Sequence, residues 1–520
     1  MVVKGRLCSG ASFYPGMEMV ACQSCVGGEE RALWLEEILR TSCGVASRAL
    51  NRVYVENIAG AVERFSEIGV EHAKRTDPKV ACFAERMRPT YAWGDWDGIR
   101  VQARARLEEA GVEVMERTRL MAILKADGRV CGCVCANGEE LFSLAAPAVI
   151  LCTGGFGDLY QHNLNTPDVS GDGQALALAA GASLINVEFL QFIPGFLSPA
   201  YKTVFREMSM PYIVDYRQAD GLDLFDGYPI GAAERAECLR LRATHGPFSF
   251  ETSARHFDIA MMRAIARCGG SGVAVRYDPR ICEDDFSFIG PYVRWLRETR
   301  GIDIARDEIR IAPFYHAANG GVRIDDRAMT RVRGLFACGE VSGGIHGANR
   351  QGGMSTGSCL VFGELAGKHA ADYAAKARPA AFTRSDAQSE LERVYGSGEG
   401  RGDPEAVTNE IRSLMWEKAS IVRSEATLSA ALDALDALDG QYCAGRRVLE
   451  GATRNACVRA AHHRTNARAL LTAMRNRRES RGAHYREDYP WHDDERFLRR
   501  FEVTLGENGM EIHPETEEET

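Results

Sequence analysis

Residues 334–367 read GLFACGEVSGGIHGANRQGGMSTGSCLVFGELAG. The stretch opens on an apolar strand, Leu335-Phe336-Ala337, and turns at Gly339-Glu340. It then crosses a glycine-rich loop containing His346 and Arg350 and resumes as a helix. Strand, glycine turn and helix is the arrangement by which backbone approaches a phosphorylated cofactor. Residues 145–160, AAPAVILCTGGFGDLY, follow the same plan: a continuous apolar run, as in a buried parallel strand, ending at Thr153-Gly154-Gly155. Either stretch alone is readily explained as structural punctuation. Together they point to a large redox cofactor, which needs glycines at its phosphates, an acid or hydroxyl at its sugar and a wall for its rings.

Outward from these stretches, the 520 residues are too many for one core, so two or three domains are expected. Hydrophobic content of 45%, charged content of 26% and a net charge of -9 describe a soluble globular chain and argue against a nucleic-acid surface. No apolar run of about 18 residues and no secretory leader is seen, which makes cytoplasmic the default localisation with no direct membrane span. Sixteen cysteines without a secretory signal suit a reducing compartment better than a disulfide framework. Cys22 and Cys25 form a lone CxxC, open to a metal or redox reading. Cys131, Cys133 and Cys135 alternate on one strand face ahead of a hairpin turn at Asn137-Gly138 and read as buried thiols; no metal ligand is assigned.

Helical periodicity runs through residues 29–75, and strand patterns fill 112–150. Residues 195–310 have mixed composition and read as an inserted domain. Residues 405–475 are rich in Ala, Leu and Arg, as in a small helical bundle. The polar GSGEGRG at 396–402 reads as a linker, and the acidic end as a disordered tail. The pair His462-His463 reads as exposed, His346 as loop packing, and Arg475, Arg477, Arg478 and Arg481 as a solvated face.

Three sets of segments carry a resemblance. Residues 334–367 resemble the terminal FAD-binding signature of the fumarate reductase, succinate dehydrogenase and L-aspartate oxidase superfamily. Residues 145–160 with SGDGQALALAAGASLINVEFLQF at 170–192 resemble its central signature. EKASIVRSEATLSAALDALDAL at 417–438 with RRESRGAHYREDYP at 477–490 resembles its C-terminal helical domain. The resemblance implies an α/β fold: a Rossmann-like FAD-binding domain (first βα unit missing) at 1–194 and 311–378, with an inserted α+β capping domain at 195–310. A linker at 379–402, a C-terminal helical domain at 403–505 and an acidic tail at 506–520 complete it. It implies noncovalent FAD, held by Ser9, Gly10, Ala11, Ser12, Thr153, Gly154, Gly155, Asp172, Glu340, Ser355 and Thr356. It also implies a small carboxylate substrate bound by His316 and Arg350, with Arg255 handling a proton at the carbon beside hydride transfer. An iron–sulfur or cytochrome electron-transfer subunit is the implied partner, and the arginines near 475–481 would border an iron–sulfur subunit.

Two departures from the pattern shape the expectations. Ile193 stands where the superfamily places a substrate-contacting histidine, which predicts a substrate with one less polar end. Residues 1–5 read as the second strand of the dinucleotide fold, so an upstream start carrying the glycine loop is expected. The readings left open are carbon–carbon bond reduction or formation, aspartate oxidase-like amine oxidation, and a truncated paralogue that binds no FAD.

Overall fold

The computed structural model describes residues 1–520 apart from 14–19, 68, 71, 75–79, 286–288, 378–379 and 517–520. Its central feature is the parallel pairing of Val149–Leu151 with Leu335–Ala337, in register Val149↔Leu335 to Leu151↔Ala337. The two glycine motifs, distant in sequence, therefore end side by side. Side chains alternate faces along a strand. Leu151 is buried while Ile150 is exposed, unlike the fully buried strand that the apolar run predicts, whereas Leu335, Phe336 and Ala337 are all buried. Residues 1–5 lie extended beside residue 115: Val2 bridges Met115 in parallel, and Val3 N donates to Met115 O at 2.9 Å. The expected strand at 112–116 is reduced to that bridge.

The strands Thr118–Ala126, Arg129–Asn137 and Glu140–Ala145 form a separate antiparallel sheet. Cys131, Cys133 and Cys135 are buried in it, and the last two bring their sulfurs within 3.8 Å, as a shared face requires. Cys22 and Cys25 are buried too, and burial raises their thiols to about 12 and about 11.

Two long antiparallel strands, Leu190–Ser198 and Ile309–Ala318, carry the chain out of the cofactor domain and back, with Pro194 opposite Pro313. Beyond them Val273–Tyr277 and Ile213–Arg217 extend the sheet, under the helices Ala232–Arg242, Arg255–Arg267 and Ile289–Arg300. The third unit packs the helices Pro404–Ala419, Glu425–Gln441 and Gly451–Asn476 against one another.

Four composition-based expectations are corrected. Within 379–402 the chain folds as the helix Arg384–Tyr395, opened by a capping box of Thr383 and Asp386. Ala387, Leu391 and Tyr395, one turn apart, bury against the sheet, and Tyr395 Oη donates to Met121 O at 2.8 Å. The acidic end is not all tail: Gly509–Pro514 pairs with Phe501–Gly506 in a hairpin that joins Leu184–Ile185. The alternation of Met510 and Ile512 with Glu511 and His513 is the period of a strand, which the charge count hides. His462 and His463 are buried, bonded to Asp172 and Asp158 respectively. Arg477 and Arg481 are buried in ion pairs, while Arg475 and Arg478 do face solvent. No helix among the described residues is long and apolar enough to cross a membrane.

Candidate functional site

The site forms where the two strand ends meet. Gly154 turns the chain with φ 75°, and Gln174 Nε2 donates to its carbonyl at 2.8 Å. A Cβ on Gly155 would stand 2.3 Å from Glu340 Oε1, so glycine is required for the carboxylate to reach the turn. Glu340 Oε1 accepts from Ala318 N at 2.9 Å, and burial raises its pKa above the ordinary carboxylate value. Tyr315 closes the floor: it stacks on Tyr160, and its hydroxyl accepts from Phe156 N at 3.1 Å. The Thr153 hydroxyl is buried against Gly173 and has no hydrogen-bond partner among the described residues.

Ser355 and Thr356 lie in the first turn of the 23-residue helix Met354–Lys376. The amides there have no intrahelical acceptor and form a positive helix end suited to an anion or an electron-rich ring edge. Gly353 precedes them at φ 85°, with Gln23 N 2.9 Å from where its Cβ would stand. Glycine turns, a carboxylate set beside them and a free helix end are features that FAD binding needs, so the residues fit the cofactor that the sequence implies.

Arg350 leaves this loop with Nε and Nη2 both donating to Gln191 Oε1, at 3.1 and 2.7 Å. No carboxylate forms an ion pair with it among the described residues. Burial lowers its pKa, and the nearby Glu340 offsets this in part. His316 and His346 lie within reach of its charge. Burial first, and Arg350 second, drive His316 down to about 3 and His346 well below the usual range, so both are neutral at physiological pH. The arrangement offers an oriented cation and two neutral imidazoles; Ile193, two residues beyond Gln191 on the same strand, lies with Glu207 near Gly246.

Other expected residues sit elsewhere. Asp172 is pulled inward: Oδ1 bonds His462 at 2.8 Å, and Oδ2 meets Lys4 at 3.0 Å and Arg119 at 3.3 Å. Burial opposes its charge, yet Arg119, Lys4 and His462 hold it well below the carboxylate range. Both oxygens thus tie the N-terminal segment to the helical domain. Ser9 donates to Asp168 at 2.7 Å, Gly10 has open space around it, Ala11 starts a short 3-10 turn, and Ser12 is exposed. Arg255 donates to Phe250 O and Thr252 O, both at 3.2 Å, and stacks over the Phe250 ring. No contact among the described residues joins it to Arg350, His316 or Glu340. Residues 245–249 reach the site instead: Asn349 Nδ2 donates to Ser249 Oγ at 2.9 Å, and Phe248 N bonds Phe192 O. Gln191 and Tyr315 escape sequence reasoning, because neither glutamine nor tyrosine in a strand announces what it orients.

Residues 6–211 and 288–356 match the FAD binding domain family, and residues 408–518 match the fumarate reductase flavoprotein C-terminal family. The L-aspartate oxidase of Streptomyces coelicolor is 30% identical over 97% of this chain and 87% of its own length. A fumarate reductase flavoprotein subunit of Mycobacterium tuberculosis is 32% identical over 72% of this chain and 67% of its own. In structure, the apo Sdh1 complex of Mycobacterium smegmatis superposes with a TM-score of 0.77 at 22% identity. That match covers 99% of this chain and 89% of the other. Quinol fumarate reductase FrdA of E. coli gives 0.76 at 21% identity, over 100% and 92%.

Proposed function

The chain belongs to the family of FAD-dependent oxidoreductases that includes fumarate reductase flavoprotein subunits and L-aspartate oxidases, and on that premise we propose that it reduces or forms a carbon–carbon double bond beside a carboxylate. FAD is its cofactor, and when bound it supplies the two-electron exchange, as hydride. The single observation that carries the reading is Arg350, a cation held by a neutral amide and ion-paired with no acid among the described residues. Gln191 fixes the guanidinium without neutralising it, which leaves one edge of the fork for a substrate carboxylate.

His316, neutral, serves as a hydrogen-bond partner beside that carboxylate. Ile193 cannot bind a second one, so the far end of the substrate is apolar or aromatic. Arg255 acts through the loop it braces: its bonds to Phe250 O and Thr252 O set Ser249 against Asn349. Electrons are exchanged with an iron–sulfur or cytochrome subunit, a reading supported by relatives named as flavoprotein subunits.

An anaerobic assay tests this, following oxidation of a reduced viologen dye by the FAD-loaded protein. Enoates with an aromatic β-substituent are expected to turn over faster than fumarate. Fumarate as the best acceptor overturns the Ile193 reading. Flavin bleaching by aspartate, with no enoate turnover, overturns the whole proposal in favour of amine oxidation.

A further inference from the structure

We propose that Cys152 and Cys338 are a redox-active dithiol that closes to a disulfide across the two strand ends bearing the cofactor turns, with hydrogen peroxide as oxidant. The inference needs no substrate assignment. Leu151↔Ala337 is the last registered pair of the parallel ladder, and each cysteine is the next residue. Cys338 N donates to Leu151 O at 3.0 Å, which keeps the strands together at that point. The two sulfurs lie 3.3 Å apart, so bond formation requires them to close by about 1 Å, within the reach of side-chain rotation. Cys152 is exposed and Cys338 is 7% exposed.

The other close pair provides the contrast. Cys133 and Cys135 approach to 3.8 Å but are alternate residues of one strand, with Cα atoms held roughly 6–7 Å apart by the ladder, and both are buried. Among the described residues, proximity, access and separate strands combine at Cys152 and Cys338. The Cys338 thiol set against Cys152 favours the Cys152 thiolate, which makes the exposed sulfur the nucleophile.

The chemistry balances in two steps. The Cys152 thiolate attacks one peroxide oxygen. The O–O bond breaks, hydroxide leaves and takes a proton to become water, and Cys152 becomes a sulfenic acid. Cys338 sulfur then attacks that sulfur. The S–S bond forms, the S–O bond breaks, and a second water leaves with the Cys338 proton. The dithiol loses two electrons and two protons, and peroxide is reduced to two waters. Flavin, when bound and reduced, would supply such peroxide by reaction with dioxygen. Cys152 precedes Thr153 and Cys338 precedes Gly339, so closure pins both cofactor turns to each other.

The test treats FAD-loaded protein with equimolar hydrogen peroxide, alkylates the remaining thiols and maps peptides by mass spectrometry. A peptide linking 152 to 338, lighter by two hydrogens and released by dithiothreitol, is expected. It should vanish in Cys152→Ser and Cys338→Ser and persist in Cys359→Ser, whose sulfur stands 3.2 Å from a Cβ position on Gly339. Cys152 left alkylatable, Cys152 over-oxidised without a link, or a link to Cys359 instead overturns the proposal. The wild-type peptide map decides the matter even if a serine variant does not fold.

Discussion

Arg477 is fully buried and Arg350 half-buried, and the two keep opposite company. Arg477 meets Glu188 at 2.7 Å and Glu479 at 2.8 Å, donates to the carbonyls of Phe497 and Arg499, and stacks on Phe189 and Phe501. Arg481 continues the network to Glu479 and Asp494. Among the described residues Arg350 has only the side-chain oxygen of Gln191. Arg423 and Arg454 also form no ion pair among the described residues, but both are fully buried: four backbone carbonyls enclose Arg454, while Arg423 meets two carbonyls and His484 and keeps Nη2 without a partner there. A buried charge must be paired or solvated by dipoles. Where the protein completes that pairing itself, the arginine holds structure. Where it leaves one edge open, the arginine is ready for a ligand anion.

Substitutions can break that contrast. Arg477→Met strands Glu188 as a buried charge, leaves Glu479 to Arg481 alone, and is expected to destabilise the fold by about 3–5 kcal/mol, measured by urea denaturation. Arg350→Ala is expected to leave the denaturation midpoint nearly unchanged while costing about 2–5 kcal/mol in kcat/KM, and Arg350→Lys should recover little of it. An Arg350→Ala variant that unfolds would remove the distinction between the two regions.

A smaller effect appears in the pH dependence of stability. Burial keeps His245 and His316 down at about 3 and His162 at about 4, against an ordinary value of 6.5. The unfolded chain therefore takes up protons first. Stability is full above about pH 6.5 and falls as pH drops toward these folded values. The urea midpoint should decline from pH 6.5 to 5, and His245→Gln should flatten that slope. A slope unchanged by the variant would mean that His245 is already charged in the folded state.

Much of the cofactor region is legible in the sequence because glycine leaves a local signature. Gly155 and Gly353 sit where a Cβ has no room, and the turns follow from that. The helix Arg384–Tyr395 and the C-terminal hairpin were equally legible in periodicity and capping, but composition pointed the other way. Other features had no local signature. Asp172 belongs to a glycine motif, yet its partners Lys4, Arg119 and His462 come from three distant segments. Arg255 begins a helix as the motif suggests, but the loop that it braces, rather than its own side chain, meets Asn349.

The sequence by itself determined the two glycine strands, which rest on short-range pattern and backbone sterics, and its resemblance to a known family supplied the α/β class, FAD and Arg350 as a candidate anion clamp. Only the tertiary structure decided which charges are satisfied. Ion pairing and desolvation depend on residues hundreds of positions apart, and these separate Arg350 from Arg477, Asp172 from Glu340, and the Cys152–Cys338 pair from the other cysteines.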